Sequence, residues 1–264
     1  MKIDGKVIAQ KILDDLKTEI QEKNISPKMA VIILGTDPSS LAYIKQKQLK
    51  SEYIGAKCEV TKFNLALQGH PLRSYIDKLN NDNSVHGIII QRPLPAHLNS
   101  QEIGEWVIPQ KDIDGFHSQT KYIPPIALAI LEILKSINIS PSGKKVVIIG
   151  RGETSGKPIA SNLIQNGAKV TICHSKTPNI STITNSADIV ISCVGKPNIV
   201  RHEMLNRNCV LIGIGMHKSE EGKLRADYDE DEIKNYVKYY TPVPGGVGPV
   251  NVACLLKNLV NSSL

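Results

Sequence analysis

The stretch KKVVIIGRGETSGKPIASNLIQNG, residues 144–167, decides the fold. Its apolar run Val146–Ile149 reads as a strand buried on both faces, Gly150 and Gly152 turn the chain, and Gly156 opens a helix. Strand, glycine turn and helix in that order begin a dinucleotide-binding unit. Glycine lets the backbone turn tightly and lets a pyrophosphate approach the free N–H groups of the helix. The spacing G-x-G-x-x-x-G is a weak signal by itself. A G-x-x-x-x-G-K-[ST] phosphate loop is excluded, because Arg151 stands where its first glycine belongs and Pro158 where Ser or Thr belongs.

Downstream, AKVTICHS (168–175), SADIVISCVG (186–195) and NCVLIGIG (208–215) repeat the apolar-run pattern, with helical or turn sequence between them. The first of these ends in His174-Ser175-Lys176 instead of the acidic residue that binds a ribose 2′-hydroxyl. Ser175, Lys176 and Arg151 suit a 2′-phosphate, which points to NADP ahead of NAD. Taken alone, the stretch is equally compatible with a plain turn beside a solvated lysine.

Upstream lies a second α/β rhythm. Ile8, Ile12, Leu16 and Ile20 recur every four residues and predict a helix over 5–23, with one apolar face. KMAVIILG (28–35) is a buried strand, and SSLAYIKQKQLKSEYIG (39–55) is a helix with serine at its start. AKCEVTKFN (56–64) is a strand, PLRSYIDKLNND (71–82) a helix and HGIIIQ (86–91) a third strand. A βαβαβ order predicts parallel sheets. The fold class is α/β: two α/β domains flanking a cleft, the second a Rossmann-type dinucleotide-binding domain.

Composition narrows the function. The 264 residues are 41% hydrophobic and 22% charged, as in ordinary globular proteins, and only 4% are aromatic, so Ile, Val and Leu must fill the core. No apolar run approaches the roughly 20 residues of a membrane span, and the first residues lack a signal peptide's apolar stretch. Cys58, Cys173, Cys193, Cys209 and Cys254 are scattered and odd in number, which argues against a disulfide framework and for the cytoplasm. The net charge of +7 comes from interspersed lysines and acids without like-charge blocks. It suits a small anionic ligand better than nucleic acid. No residue cluster has the spacing of a metal site.

The first half holds a candidate acid–base group. Tyr43 and Lys47 are four apart and share one helix face. Gln91 ends a buried strand, where the carboxyl edge of a parallel sheet meets ligands, and Asp114 sits in the turn KDIDGF. A lysine acting near neutral pH needs a lowered pKa, and a neutral glutamine orients it without stabilising its charge.

YIKQK, GIIIQRPLP, KDIDGF, GRGETSGKP, CHSKT, ADIVISCVGKP and TPVPGGVGP occur in this order along the chain. In this the sequence resembles the bifunctional methylenetetrahydrofolate dehydrogenase/methenyltetrahydrofolate cyclohydrolases over essentially its whole length. The resemblance implies a folate-binding catalytic domain of residues 1–118 plus 245–264 and an NADP-binding domain of residues 119–244, assembled as a homodimer. It implies that Tyr43 stacks on the pterin, Lys47 is the catalytic acid/base, Gln91 tunes it and Asp114 anchors the pterin's polar edge. Gly245 and Gly246 would let backbone approach the tetrahydrofolate substrate. Gly150, Arg151, Gly152, Gly156, Ser175, Lys176 and Gly195 would contact the dinucleotide. The implied chemistry is NADP-dependent oxidation of methylenetetrahydrofolate followed by hydrolysis, in one-carbon metabolism, without a metal.

Some positions depart from the family pattern. The segment after the DGF turn is shorter, with Ile123-Pro124-Pro125 in place of Cys-Thr-Pro, while Gly152 replaces a serine, Gly213 an aspartate and Val250-Asn251 a Met-Thr pair. The first change bears on the cleft, the second and third on cofactor affinity. Two other readings stay open on the sequence: a member with one of the two activities, and a catalytically silent NADP-binding protein.

Overall fold

A computed structural model of the chain describes residues 1–35, 37–64 and 69–264. They form two compact units, one of Gln10–Pro125 with Val252–Leu264, the other of Met1–Ala9 with Ile126–Asn251. The first nine residues therefore group with the second half of the sequence, and the return falls between Asn251 and Val252. Contacts within that second unit explain the grouping: the Ile3 N–H donates to the Tyr240 carbonyl at 2.8 Å, and Gly5 lies against the backbone of Gly245 and Gly246.

In the first unit, β1 (Lys28–Leu34), β2 (Lys57–Phe63) and β3 (Gly87–Ile90) make a parallel sheet in the order β2-β1-β3. Met29 pairs with Cys58 on one side and Gly87 on the other. Strand β1 is central and buried along nearly its whole length, as its continuous apolar run requires. Helix α1 (Gly5–Glu22) buries Ala9, Leu13, Leu16 and Ile20, so the apolar stripe runs slightly to one side of the four-residue repeat. Helix α2 (Pro38–Ile54) is capped by Asp37, whose carboxylate accepts from the Ser40 N–H at 2.7 Å, with Pro38 in the first turn. Ser39 and Ser40 stand in the first turn, as expected, with Asp37 capping it. Helices α3 (Gly69–Asn81) and α4 (Ser100–Gly104) complete the layer around β3. Leu72, Ile76 and Leu79 of α3 and Ile103 of α4 pack with Ile32, Ile88 and Ile90 in one apolar core.

The second unit opens with α5 (Pro125–Ser136) and β4 (Lys145–Ile149), followed by α6 (Gly156–Gln165), β5 (Lys169–Cys173), α7 (Ile180–Asn185) and β6 (Ile189–Ser192). β7 (Val210–Gly213), a hairpin of β8 (Met216–Lys218) and β9 (Leu224–Ala226), α8 (Glu230–Ile233) and β10 (Tyr239–Tyr240) follow, and α9 (Val247–Ser262) begins here but from Val252 onward belongs to the first unit. The main sheet is parallel in the order β10-β7-β6-β4-β5. Sequential strands run outward in both directions from β4, so the strand order reverses between β4 and β6. This is a doubly wound Rossmann-type sheet, and its switch point is where such sheets bind ligands. The expected strands all form; the hairpin β8–β9 and the two-residue β10 are additional.

Candidate active site

The acid–base candidates of the first unit come together. Lys47 projects inward from α2 and is only 2% exposed. Its Nζ donates to Gln91 Oε1 at 3.0 Å and lies 4.9 Å from the centre of the Tyr43 ring. Gln91, just past β3, is itself fixed by donating from Nε2 to the Arg92 carbonyl at 2.7 Å. Burial pushes the Lys47 ammonium below the ordinary lysine range, with the charge of Asp114 opposing that shift. The neutral amide oxygen thus orients an amine that its surroundings prefer uncharged.

Asp114 lines a small pocket with Ile88, Ile90, Arg92, Val107 and Phe116. The turn that carries it is built by Asp112, which sequence reasoning missed. The buried Asp112 carboxylate accepts from the N–H groups of Gly115 at 3.2 Å and His117 at 2.8 Å, and burial pushes its pKa up to about 6. An aspartate two residues before Asp-Gly was the available signal, since aspartates accept from nearby turn N–H groups. From α9, Asn258 Nδ2 donates to the carbonyls of Ile113 at 2.9 Å and Ile123 at 3.0 Å. The Ile123-Pro124-Pro125 segment is thereby tied to the same turn, and Pro124 leaves no space for a side chain at Gly115.

In the second unit the dinucleotide candidates gather at the carboxyl ends of β4, β5 and β6, which pair side by side. A Cβ on Gly156 would stand 2.2 Å from the Gly150 carbonyl oxygen, and one on Gly150 3.0 Å from that of Cys193. Bare backbone therefore closes the start of α6 onto the strand ends, the close approach a pyrophosphate site needs. Arg151, Ser175 and Lys176 are exposed on the turns after β4 and β5, and Gly195 is on the turn after β6. These residues fit a dinucleotide phosphate. Gly152 has open space around its Cβ position, so nothing in the packing demands glycine there.

Gly213 has a different explanation. A Cβ there would stand 2.7 Å from the Tyr228 hydroxyl, and that phenol fills the space. Tyr228 donates to the Thr241 carbonyl, while Thr241 Oγ1 accepts from the Gly213 N–H at 2.8 Å. Gly213 thus serves the packing of β7 against the start of the 241–248 loop. Gly213→Asp is expected to lower folding stability by about 1–3 kcal/mol through overpacking, with Tyr228→Val alongside it recovering part of the loss in thermal unfolding.

Gly245 and Gly246 belong to this same unit. A Cβ on Gly246 would meet the Pro242 carbonyl oxygen at 2.5 Å, and one on Gly5 would meet the Gly246 oxygen at 1.8 Å. Packing within the unit thus explains Gly246, whereas Gly245 has only the end of the Lys6 side chain at 3.4 Å and is called for by its φ of 103°.

Two family descriptions match the chain. Tetrahydrofolate dehydrogenase/cyclohydrolase, catalytic domain, covers residues 3–114, and the NAD(P)-binding domain of the same family covers residues 124–264. The chain belongs to the tetrahydrofolate dehydrogenase/cyclohydrolase family. Bifunctional protein FolD of Rickettsia massiliae is 40% identical over 98% of this chain and 95% of its own length. That of Bacillus licheniformis is 37% identical over 99% and 96%. Among solved structures, the bifunctional FolD of Campylobacter jejuni superposes with a TM-score of 0.95 at 36% identity, covering 100% of this chain and 98% of that one. The Trypanosoma brucei FolD, complexed with NADP cofactor and inhibitor, superposes with 0.92 at 30% identity over 99% and 96%. The fold, the family and an NAD(P)-binding second domain are thereby fixed. Among the described residues no group of three or more His, Cys, Asp or Glu could hold a metal ion, and no helix is long and apolar enough to cross a membrane.

Proposed function

We propose that this chain oxidises 5,10-methylenetetrahydrofolate to the 5,10-methenyl form with NADP⁺ and hydrolyses that product to 10-formyltetrahydrofolate. The observation that carries the reading is the buried Lys47 amine held 3.0 Å from the neutral Gln91 amide. Folate chemistry is assigned to the unit of Gln10–Pro125 with Val252–Leu264, and dinucleotide binding to the other.

Bound NADP⁺ supplies the hydride acceptor. The nitrogen lone pair of the folate stabilises the cation left behind, so this chain's task in that step is alignment. Arg151, Ser175 and Lys176 hold the phosphate end, with Gly150, Gly156 and Gly195 giving backbone access. In the hydrolytic step water adds to the methenyl carbon, the bond from that carbon to N5 breaks, and one proton is released. Lys47 takes and returns protons in this sequence, Gln91 holds its amine in place, Tyr43 offers a ring face to the pterin and Asp114 its polar anchor. The same reading carries a cytoplasmic homodimer, checked by light scattering and cell fractionation.

Gln91→Glu tests the role of the neutral amide. A carboxylate beside Nζ stabilises the ammonium and raises its pKa, so a base active above that pKa needs higher pH. The ascending limb of the cyclohydrolase pH profile is expected to move up by about one unit or more. Dinucleotide choice is tested by dehydrogenase rates with NADP⁺ and NAD⁺ in parallel. The reading expects the higher kcat/KM with NADP⁺, and equal or better use of NAD⁺ contradicts the roles of Arg151, Ser175 and Lys176.

A further inference from the structure

The turns after β4 and β6 lie at the switch point of the sheet, where ligands enter an open α/β fold. The second of them is shaped from behind by a side chain far along the sequence. Asp227, which follows β9, is fully buried. Its Oδ2 accepts from Ser192 Oγ at 2.5 Å and from the Val194 N–H at 2.9 Å, and its Oδ1 from the Gly195 N–H at 2.7 Å and the Lys196 N–H at 2.9 Å.

Three successive backbone donors and one hydroxyl therefore converge on a single carboxylate. Such a group is tolerated out of water only when its oxygens are engaged, and bonds to an ionised acceptor are the strong kind. The two groups of a trans peptide point in opposite directions. The carbonyls of Cys193, Val194 and Gly195 consequently face away from Asp227, and that of Cys193 is turned toward Gly150. The volume beside the carboxylate is full: a Cβ on Gly215 would stand 2.2 Å from Asp227 Oδ2 and 2.4 Å from the Gly195 nitrogen. Gly195 itself holds a φ of 77°, which favours glycine. One buried acid thus fixes the shape of a wall of the switch-point crevice.

We propose that Asp227 is a positioning residue for the dinucleotide. It sets the Val194–Lys196 turn in the conformation that receives the cofactor, without touching the cofactor itself. The inference rests on reading this unit as the NADP site.

Asp227→Asn keeps the shape but replaces one acceptor oxygen with an NH₂ that faces N–H donors. The NADP⁺ dissociation constant, measured by calorimetry, is expected to rise at least about tenfold, as loss of a charged hydrogen bond implies. KM for NADP⁺ should rise in parallel. Cyclohydrolase turnover of methenyltetrahydrofolate, which needs no dinucleotide, should stay within about twofold of wild type, whereas a general loss of structure would lower both activities.

An NADP⁺ dissociation constant within about twofold of wild type overturns the proposal. If the variant does not fold, Gly215→Ala is read in the same way, since its methyl enters the same contact without changing charge. Failure of both to fold also overturns it, because Asp227 would then support the unit and not the turn. Wild-type protein that binds no NADP⁺ overturns the functional reading and the inference with it. Unchanged affinity in the variant beside normal wild-type binding overturns the inference alone.

Discussion

Lys47→Met is expected to lower cyclohydrolase turnover by about 10²–10⁴, the usual worth of a positioned acid–base group, while dehydrogenase activity falls far less. Methionine fills a similar volume, so the effect on folding should be opposite in kind. Lys47 is 2% exposed, and burial holds its pKa below that of the unfolded chain. Between those two values the unfolded state binds more protons, which disfavours folding. The wild type therefore gains stability relative to the methionine variant as pH rises toward the ordinary lysine pKa of about 10.4. At pH 7 the variant should unfold at the same temperature as wild type or higher, even though Gln91 Oε1 loses its donor. Parallel thermal melts and activity assays check this. A lower midpoint together with loss of both activities would make Lys47 a structural residue.

Gly5→Ala should be among the most destabilising alanine substitutions in the chain. The new Cβ would lie 1.8 Å from the Gly246 oxygen and 2.9 Å from that of Gly245. Both obstacles are backbone, so no change of rotamer relieves them. Overpacking of this kind costs about 1–3 kcal/mol or more, and in a chain of this size each kcal/mol lowers the melting midpoint by about 2–4 °C. Gly248→Ala is the matched control. It lies in α9 with nothing within 4 Å of its Cβ position, and alanine there should stabilise by about 0.5–1 kcal/mol. A Gly5→Ala melt equal to wild type would show that the start of α1 does not lie against the 245–246 backbone.

What the sequence revealed, and what it hid, follows from the range of the interactions. Strands such as Met29–Leu34 and Val146–Ile149 announce themselves because central parallel strands are apolar on both faces. Met216–Lys218 and Leu224–Ala226 do not, being three residues long and largely exposed. Lys47 and Gln91 were legible through helix spacing and a strand end, two local patterns that converge in space. Asp112 left a local but weak trace, an aspartate two residues before Asp-Gly whose partners are the N–H groups of its own turn. Asp227 and Gly5 were hidden by distance, since their partners lie 31 or more residues away along the chain. Gly213 was legible only as an oddity until Tyr228 was seen to occupy its side-chain space. Gly245 and Gly246 illustrate the reverse, since both already have a local reason, a positive φ at Gly245 and the Pro242 carbonyl against Gly246.

The most direct test of the account follows a single reaction of the wild-type protein with 5,10-methylenetetrahydrofolate and NADP⁺. NADPH is read by absorbance and the folate products by chromatography. The account predicts that NADPH and 10-formyltetrahydrofolate form in equal final amounts, with the methenyl compound as a transient. NADPH without 10-formyl product beyond the uncatalysed rate, or no turnover at all, would contradict it.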